Sequence, residues 1–176
     1  GTSKQLAEGV ADALKKLQAS GAIGKRVALV NVADAFGLEL LNAGKPALQK
    51  AGFEIVYEGS YPLGTQDLAP IISAAKAANP DAFVAFSYPP DTFALTEQAQ
   101  VQKFDVGAFY VGVGTAFPGY AARFKDNANG VMGVGGITPD SAAIAEYRKK
   151  HKEATGADPD SWASATTYAG LEILGQ

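Results

Sequence analysis

From Val27 to Val32 the chain is apolar at most consecutive positions and rich in β-branched residues; it then breaks at the turn Ala33-Asp34-Ala35-Phe36-Gly37 and resumes with helical periodicity. A strand buried on both faces of a parallel sheet, followed by a helix, has this pattern. Upstream, Leu6, Val10, Ala13, Leu14 and Leu17 share one face of a helix over Lys4 to Ala19, closed by Ser20-Gly21. Downstream, Leu38, Leu41, Leu48 and Ala51 recur at helical spacing, Gly52 sits at a cap, and Pro46 predicts a kink or a split midway.

The same unit then repeats. Phe53 to Tyr57 reads as a second strand and Glu58 to Thr65 as a loop. Next comes a helix buried through Leu68, Ile71, Ile72 and Ala75, capped by Thr65 or Asp67 and ended by Asn79-Pro80. Asp81 to Ser87 is a third strand, Tyr88-Pro-Pro-Asp-Thr92 its exit turn, and Asp91 or Thr92 caps a helix carrying Phe93, Leu95 and Ala99. Ala108 to Val113 is a fourth strand leading into the glycine-bearing loop Gly112 to Gly119, a short helix over Tyr120 to Phe124 and a turn at Asn127 to Gly130. Val131 to Ile137 is a fifth strand.

At Thr138-Pro139-Asp140 the alternation stops, and two helices follow without a strand between them. One presents Ile144 and Tyr147, the other Trp162, Ala165, Ala169 and Ile173. The fold class predicted is α/β: a doubly wound, five-stranded parallel sheet in the order 2-1-3-4-5, flanked by helices, plus two C-terminal helices. Those two are surplus to the layer, so their apolar faces call for a partner in this domain, in another chain or in a domain absent here.

A net charge of −3 over 176 residues, with Lys and Arg dispersed, excludes a nucleic-acid surface. The one basic cluster, Arg148-Lys-Lys-His-Lys152, falls late in a predicted helix, where cations complement the dipole and face water. Without Cys there is no disulfide, thiolate nucleophile or cysteine-ligated metal, although this fixes no compartment. No apolar run reaches membrane-span length.

Reaction chemistry calls for matched groups, and they are missing. His151 is the only histidine and reads as a solvated residue. Gly112-Val-Gly114 has Phe117 where a dinucleotide fingerprint needs its third glycine, and neither a phosphate loop nor a nucleophile elbow is present. Asp34 evokes a phosphoacceptor but lacks its companion acids, so it reads as a turn residue bonding its own backbone. No enzyme activity, cofactor or metal is expected. Instead the strand exits collect aromatic, small and hydroxyl-bearing residues: Ala35 and Phe36 after the first strand, Ser87 and Tyr88 after the third, Gly112, Gly114, Thr115 and Phe117 after the fourth, Thr138 after the fifth. Rings and hydroxyls at one sheet edge suit ligand recognition, whereas the bland alternative is that each ring merely covers the sheet's end.

Asp34-Ala-Phe-Gly37, Lys50-Ala-Gly-Phe-Glu-Ile-Val56, Tyr61-Pro-Leu-Gly-Thr-Gln-Asp67, Asn79-Pro-Asp-Ala82 and Thr167-Tyr-Ala169 together resemble the branched-chain amino-acid type of periplasmic binding proteins, the solute receptors of ABC importers. The resemblance covers essentially the whole chain. It implies one lobe of a two-lobed receptor: residues 1–138 as the second lobe, and 139–176 as a hinge crossing with helices that return to a missing N-terminal lobe. It further implies a periplasmic or membrane-associated extracellular location, a signal peptide outside this chain, an ABC transporter permease as partner, and a fragment or truncated product. Phe36 takes the place of the family's aromatic after the first strand, without the tyrosine hydroxyl, and Tyr88 matches the aromatic after the third. The family's acid for a ligand ammonium falls near Gly114, yet no carboxylate lies between Gly112 and Gly119. Within a range of amino-acid-like solutes, carboxylates, aromatic acids and amides, this departure points away from α-amino acids. A lone lobe is expected to bind weakly, and the faces after Ser141 leave self-association open. The competing readings are the effector-binding domain of a receptor or transcription regulator of the same fold, and a flavodoxin-like enzyme domain.

Overall fold

The computed structural model describes residues 2–138 and 140–174, so Pro139, the centre of the predicted break, lies outside the described residues. In chain order the elements are α1 (Ser3–Ala19), β1 (Arg26–Val32), α2 (Ala35–Lys50), β2 (Glu54–Tyr61), α3 (Ala69–Ala77), β3 (Ala82–Phe86), α4 (Pro89–Val101), β4 (Ala108–Val111), α5 (Pro118–Phe124), β5 (Val131–Met132), α6 (Ala142–Thr155) and α7 (Ser164–Leu174). Short 3-10 turns occupy Val113–Ala116 and Lys125–Ala128. All strand pairs are parallel, in the order β2-β1-β3-β4-β5, as the strand and helix alternation predicts.

Alternation along each buried strand feeds two apolar layers. On one face Val27 and Leu29 of β1, Val84 and Phe86 of β3 and Tyr110 of β4 pack with Val10 and Leu14 of α1 and Leu40 and Leu48 of α2. On the other, Ala28, Val30, Val32, Phe83, Ala85 and Val111 meet Leu68 at the start of α3, Ile72 within it, and Leu95 and Ala99 of α4. The central strands β1 and β3 are buried almost throughout. With the helices covering both faces, the carboxyl ends of the strands are left as the accessible edge where a ligand site belongs.

Several boundaries differ from the pattern-based expectation. β2 continues to Tyr61 where a loop is predicted from Glu58: Glu58 to Tyr61 pair with Leu29 to Val32. As the outer strand it is half-exposed and tolerates polar residues, so it lacks an unbroken apolar run. β4 stops at Val111, and the chain from Val113 curls into a 3-10 turn. β5 ends at Met132, not Ile137. The glycine-rich stretch beyond it leaves the sheet to meet a different segment: Gly136 N–H donates to Ser161 O at 2.8 Å, and a Cβ at Gly136 would overlap the Trp162 carbonyl. Pro46 sits inside a single uninterrupted α2, and Leu38 is 46% exposed, off the buried face.

α4 starts at Pro89, within the predicted exit turn. Prolines at its first two positions sacrifice no helical hydrogen bond, because those N–H groups have no intrahelical partner. Asp91 then reaches back to the Tyr88 N–H at 3.2 Å. Asp67 accepts the Ala69 N–H at 2.9 Å before α3, one of the two caps expected there.

α6 and α7 meet through Tyr147 and Tyr168, whose ring centroids are 5.3 Å apart. Trp162 precedes α7 and is not part of it; of the predicted apolar face only Ala165 is buried, whereas Ile173 is 72% exposed. His151 is half-buried, not fully in water, with its Nδ1 3.1 Å from Ala157 O. The Asp160 carboxylate organises the entry to α7, accepting N–H groups of Trp162 and Ala163 at 2.8 Å and of Ser164 at 3.3 Å. Burial would raise its pKa, but these donors outweigh that and hold it below its ordinary 3.8. A lowered carboxyl pKa stabilises the fold above the ordinary value and ceases to do so as pH falls through the lowered one. Asp160→Ala is therefore expected to cost α7 about 1 kcal/mol, as cap removal typically does. Hydrogen-exchange protection of residues 165–169 checks this: it drops in the variant at neutral pH, and acidification lowers it in the native chain only.

Candidate recognition edge at the strand ends

Where β1 ends, the Asp34 Oδ1 accepts the Gly37 N–H at 2.8 Å and so caps α2, which is the local turn role its sequence predicts. Its other oxygen accepts the Tyr88 O–H, also at 2.8 Å. That bond brings the Tyr88 ring from the end of β3 onto Phe36, with centroids 4.9 Å apart and planes 26° from parallel. Asp91 is buried, and its Oδ2 accepts the Tyr61 O–H and the Tyr88 N–H, each at 3.2 Å. Burial raises the Asp91 pKa, partly opposed by the Tyr88 N–H and the Tyr61 hydroxyl. Tyr61 and Tyr88 are likewise pushed up, by burial first and by the neighbouring carboxylates after it. Near neutral pH both phenols therefore remain protonated donors. Two carboxylates thus fix one aromatic pair, and both rings stay half-open to solvent.

β4 ends in backbone contacts: Gly112 N–H donates to Ala85 O at 2.9 Å and Val113 N–H to Ser87 O at 3.4 Å. Ser87 is fully buried, its hydroxyl 2.8 Å from that of Thr92. Gly112 and Gly114 are buried as well, whereas Thr115 and Phe117 are half-exposed. Those two line a cavity of about 590 Å³. It is also lined by Gly133 and Gly135 after β5, Arg148 of α6 and Ser161. Ser161 ties the walls together: its N–H donates to Ala116 O at 2.7 Å and its hydroxyl accepts from Arg148 Nη2 at 2.9 Å.

The nine strand-exit residues singled out in the sequence therefore separate, with Thr138 exposed beyond β5. Phe36 and Tyr88 form one aromatic patch, with Ala35 exposed beside them; Thr115 and Phe117 face the cavity; Ser87, Gly112 and Gly114 are the buried joint between the two places. Sequence reasoning missed three contributors. For Asp91 a signal existed, an acid three residues after Tyr88 at a Pro-Pro helix start; Tyr61 looked like a loop residue. Arg148 had no local signal, because its place in the cavity is a tertiary fact. Another cavity, of about 410 Å³, lies near the amino end of β4 between Lys103, Phe109 and Asn129, away from every strand exit. Among the described residues no group of three or more His, Asp or Glu side chains is placed to hold a metal ion.

The family model described as periplasmic binding protein matches residues 1–176. The chain belongs to the periplasmic binding protein family. A curated relative of this binding protein is the Leu/Ile/Val-binding protein homolog 7 of Brucella abortus, 24% identical over 157 residues, 85% of this chain and 39% of that protein. Among solved structures, the solute-binding protein of an ABC transporter from Rhodopseudomonas palustris BisB5, in complex with 3,4-dihydroxybenzoic acid, is 25% identical with a TM-score of 0.81, over 98% of this chain and 47% of that one. A solute-binding protein of an ABC transporter from R. palustris in complex with benzoate is 17% identical with a TM-score of 0.80, over 97% and 46% of the two chains. The binding protein described here thus spans about two-fifths of the length of the curated relatives it matches.

Proposed function

We propose that the protein is a non-enzymatic solute-capturing component of an ABC importer, working in the periplasm and handing its solute to a permease. Residues 1–138 form the second lobe of a two-lobed receptor, the segment from 139 crosses a hinge, and α6 and α7 belong against the partner lobe. The carrying observation is the cavity of about 590 Å³ with Thr115 and Phe117 of the strand-end edge on one side and Arg148 and Ser161 of the C-terminal segment on the other. A ligand held between two such bodies favours the closed arrangement, and closure is what a permease reads. The exposed apolar side chains Leu171, Ile173 and Leu174 of α7 support a further body packing there. The solute is a small organic molecule drawn from carboxylates, aromatic acids, amides and amino-acid-like compounds, and the aromatic acids bound by two solved relatives support that range.

The test is a thermal-shift screen of the chain against leucine, benzoate, dicarboxylates and benzamide, with a nucleotide and a flavin as contrasts. At ten times its dissociation constant a solute bound only by the native state adds about 1.4 kcal/mol. For a chain of this length that is expected to raise Tm by roughly 3–6 °C. A shift produced by a nucleotide or flavin, and by no organic solute, would displace the receptor assignment in favour of an enzyme domain.

A further inference from the structure

We infer that Arg148 makes this cleft selective for solutes carrying a carboxylate; this rests on the receptor function proposed above. Arg148 stands apart from the rest of its basic run. Lys149, Lys150 and Lys152 are exposed and pair with Glu153, Glu146 and Asp158 at 4.0, 2.9 and 3.1 Å. Arg148 is half-buried and has no ion pair among the described residues; its hydrogen bond goes to the Ser161 hydroxyl. Asp158 lines the same cavity, but its carboxylate is held by Lys152.

A guanidinium carries five N–H donors in a rigid fork that fits a carboxylate bidentately. Half-buried and with no ion pair among the described residues, Arg148 is only partly hydrated, and an entering anion would satisfy its remaining donors. Thr115 lines the same cavity, its hydroxyl donating to Gly112 O at 3.4 Å, and Phe117 gives an apolar wall for a ring. A neutral amide of the same shape would meet the wall and leave the fork unsatisfied. The absence of an acid between Gly112 and Gly119 and the presence of a cation in the same cavity as Thr115 point to the same ligand polarity.

Benzoate and benzamide, which differ in charge and little in shape, separate the possibilities when the chain is titrated with each and followed by amide chemical shifts. The native chain is expected to bind benzoate about tenfold more tightly than benzamide, in keeping with a charge-assisted pair. Arg148→Gln is expected to remove that preference and leave benzamide unchanged, and Arg148→Lys, which keeps charge but loses the fork, to retain part of it. Should the Gln variant fail to fold by circular dichroism, the Lys variant decides, with at least a threefold loss for benzoate expected. Equal affinity of the native chain for the two compounds, or benzoate binding that neither substitution weakens, overturns the role of Arg148. If benzamide or leucine still binds in that case, the receptor function stands. If none of these solutes perturbs the strand-end residues, the receptor assignment falls, and the inference with it.

Discussion

Gly37→Ala is expected to be among the most damaging ways to add one methyl group to this chain. Gly37 lies in the first turn of α2, pressed so closely onto the end of β1 that a Cβ would overlap the Val32 carbonyl oxygen and crowd the Val32 side chain. The obstacle is backbone, so it cannot swing aside as a flexible side chain would. Overpacking usually costs 1–3 kcal/mol, and a fixed backbone partner places this case at about 3 kcal/mol or above. In a chain of this length that corresponds to a fall in Tm of roughly 6–12 °C, read by calorimetry. The Phe36–Tyr88 stack is expected to loosen as well, since Gly37 N–H is the donor that orients Asp34, and Asp34 in turn holds Tyr88. A variant within a degree or two of the native Tm would show that α2 does not depend on this close approach.

Phe86→Ala is expected to be larger still. Phe86 is the last residue of β3, 1% exposed, and its ring occupies the space that a Cβ at Gly44 of α2 would fill while meeting Tyr110 edge-on at 6.5 Å. Truncating such a ring leaves a cavity bounded by a helix backbone and a sheet, neither of which collapses easily. The expected loss is about 3–5 kcal/mol. Denaturant titration checks it, with the midpoint falling and the slope unchanged. Phe86 also immediately precedes Ser87, so the buried Ser87–Thr92 contact is expected to loosen with it. Retention of native stability would mean that the layer between α1, α2 and the sheet is far less tightly packed than it appears.

The sheet order was legible because much of its evidence is local: Ala82 to Phe86 is a continuous apolar run and Val27 to Val32 one interrupted only by Asn31, the pattern expected of a doubly covered parallel strand. The strand at the margin was not. Glu58-Gly-Ser carries turn chemistry, and only its pairing with β1 makes it strand. After Met132 the error ran the other way, because glycines that allow close approach to Ser161 and Trp162 read as part of an apolar run. At the recognition edge, the aromatic exits Phe36 and Tyr88 were visible from their place after strands. Their union through Asp34 was not, since it joins residues 54 positions apart. Arg148 was hidden for a different reason: four basic neighbours gave it the look of a solvated helix end, and burial is not written in charge alone.

The β4 exit is fixed by main-chain hydrogen bonds, Gly112 to Ala85 and Val113 to Ser87, and the side chains facing the cavity take no part in those bonds. At Phe117 shape and cavity lining are thereby separable; at Thr115 they are joined. A lineage can exchange the residue at position 117 without touching those bonds, whereas position 115 is less free, because the Thr115 hydroxyl also donates to Gly112 O at 3.4 Å and lies where a Cβ at Gly133 would stand.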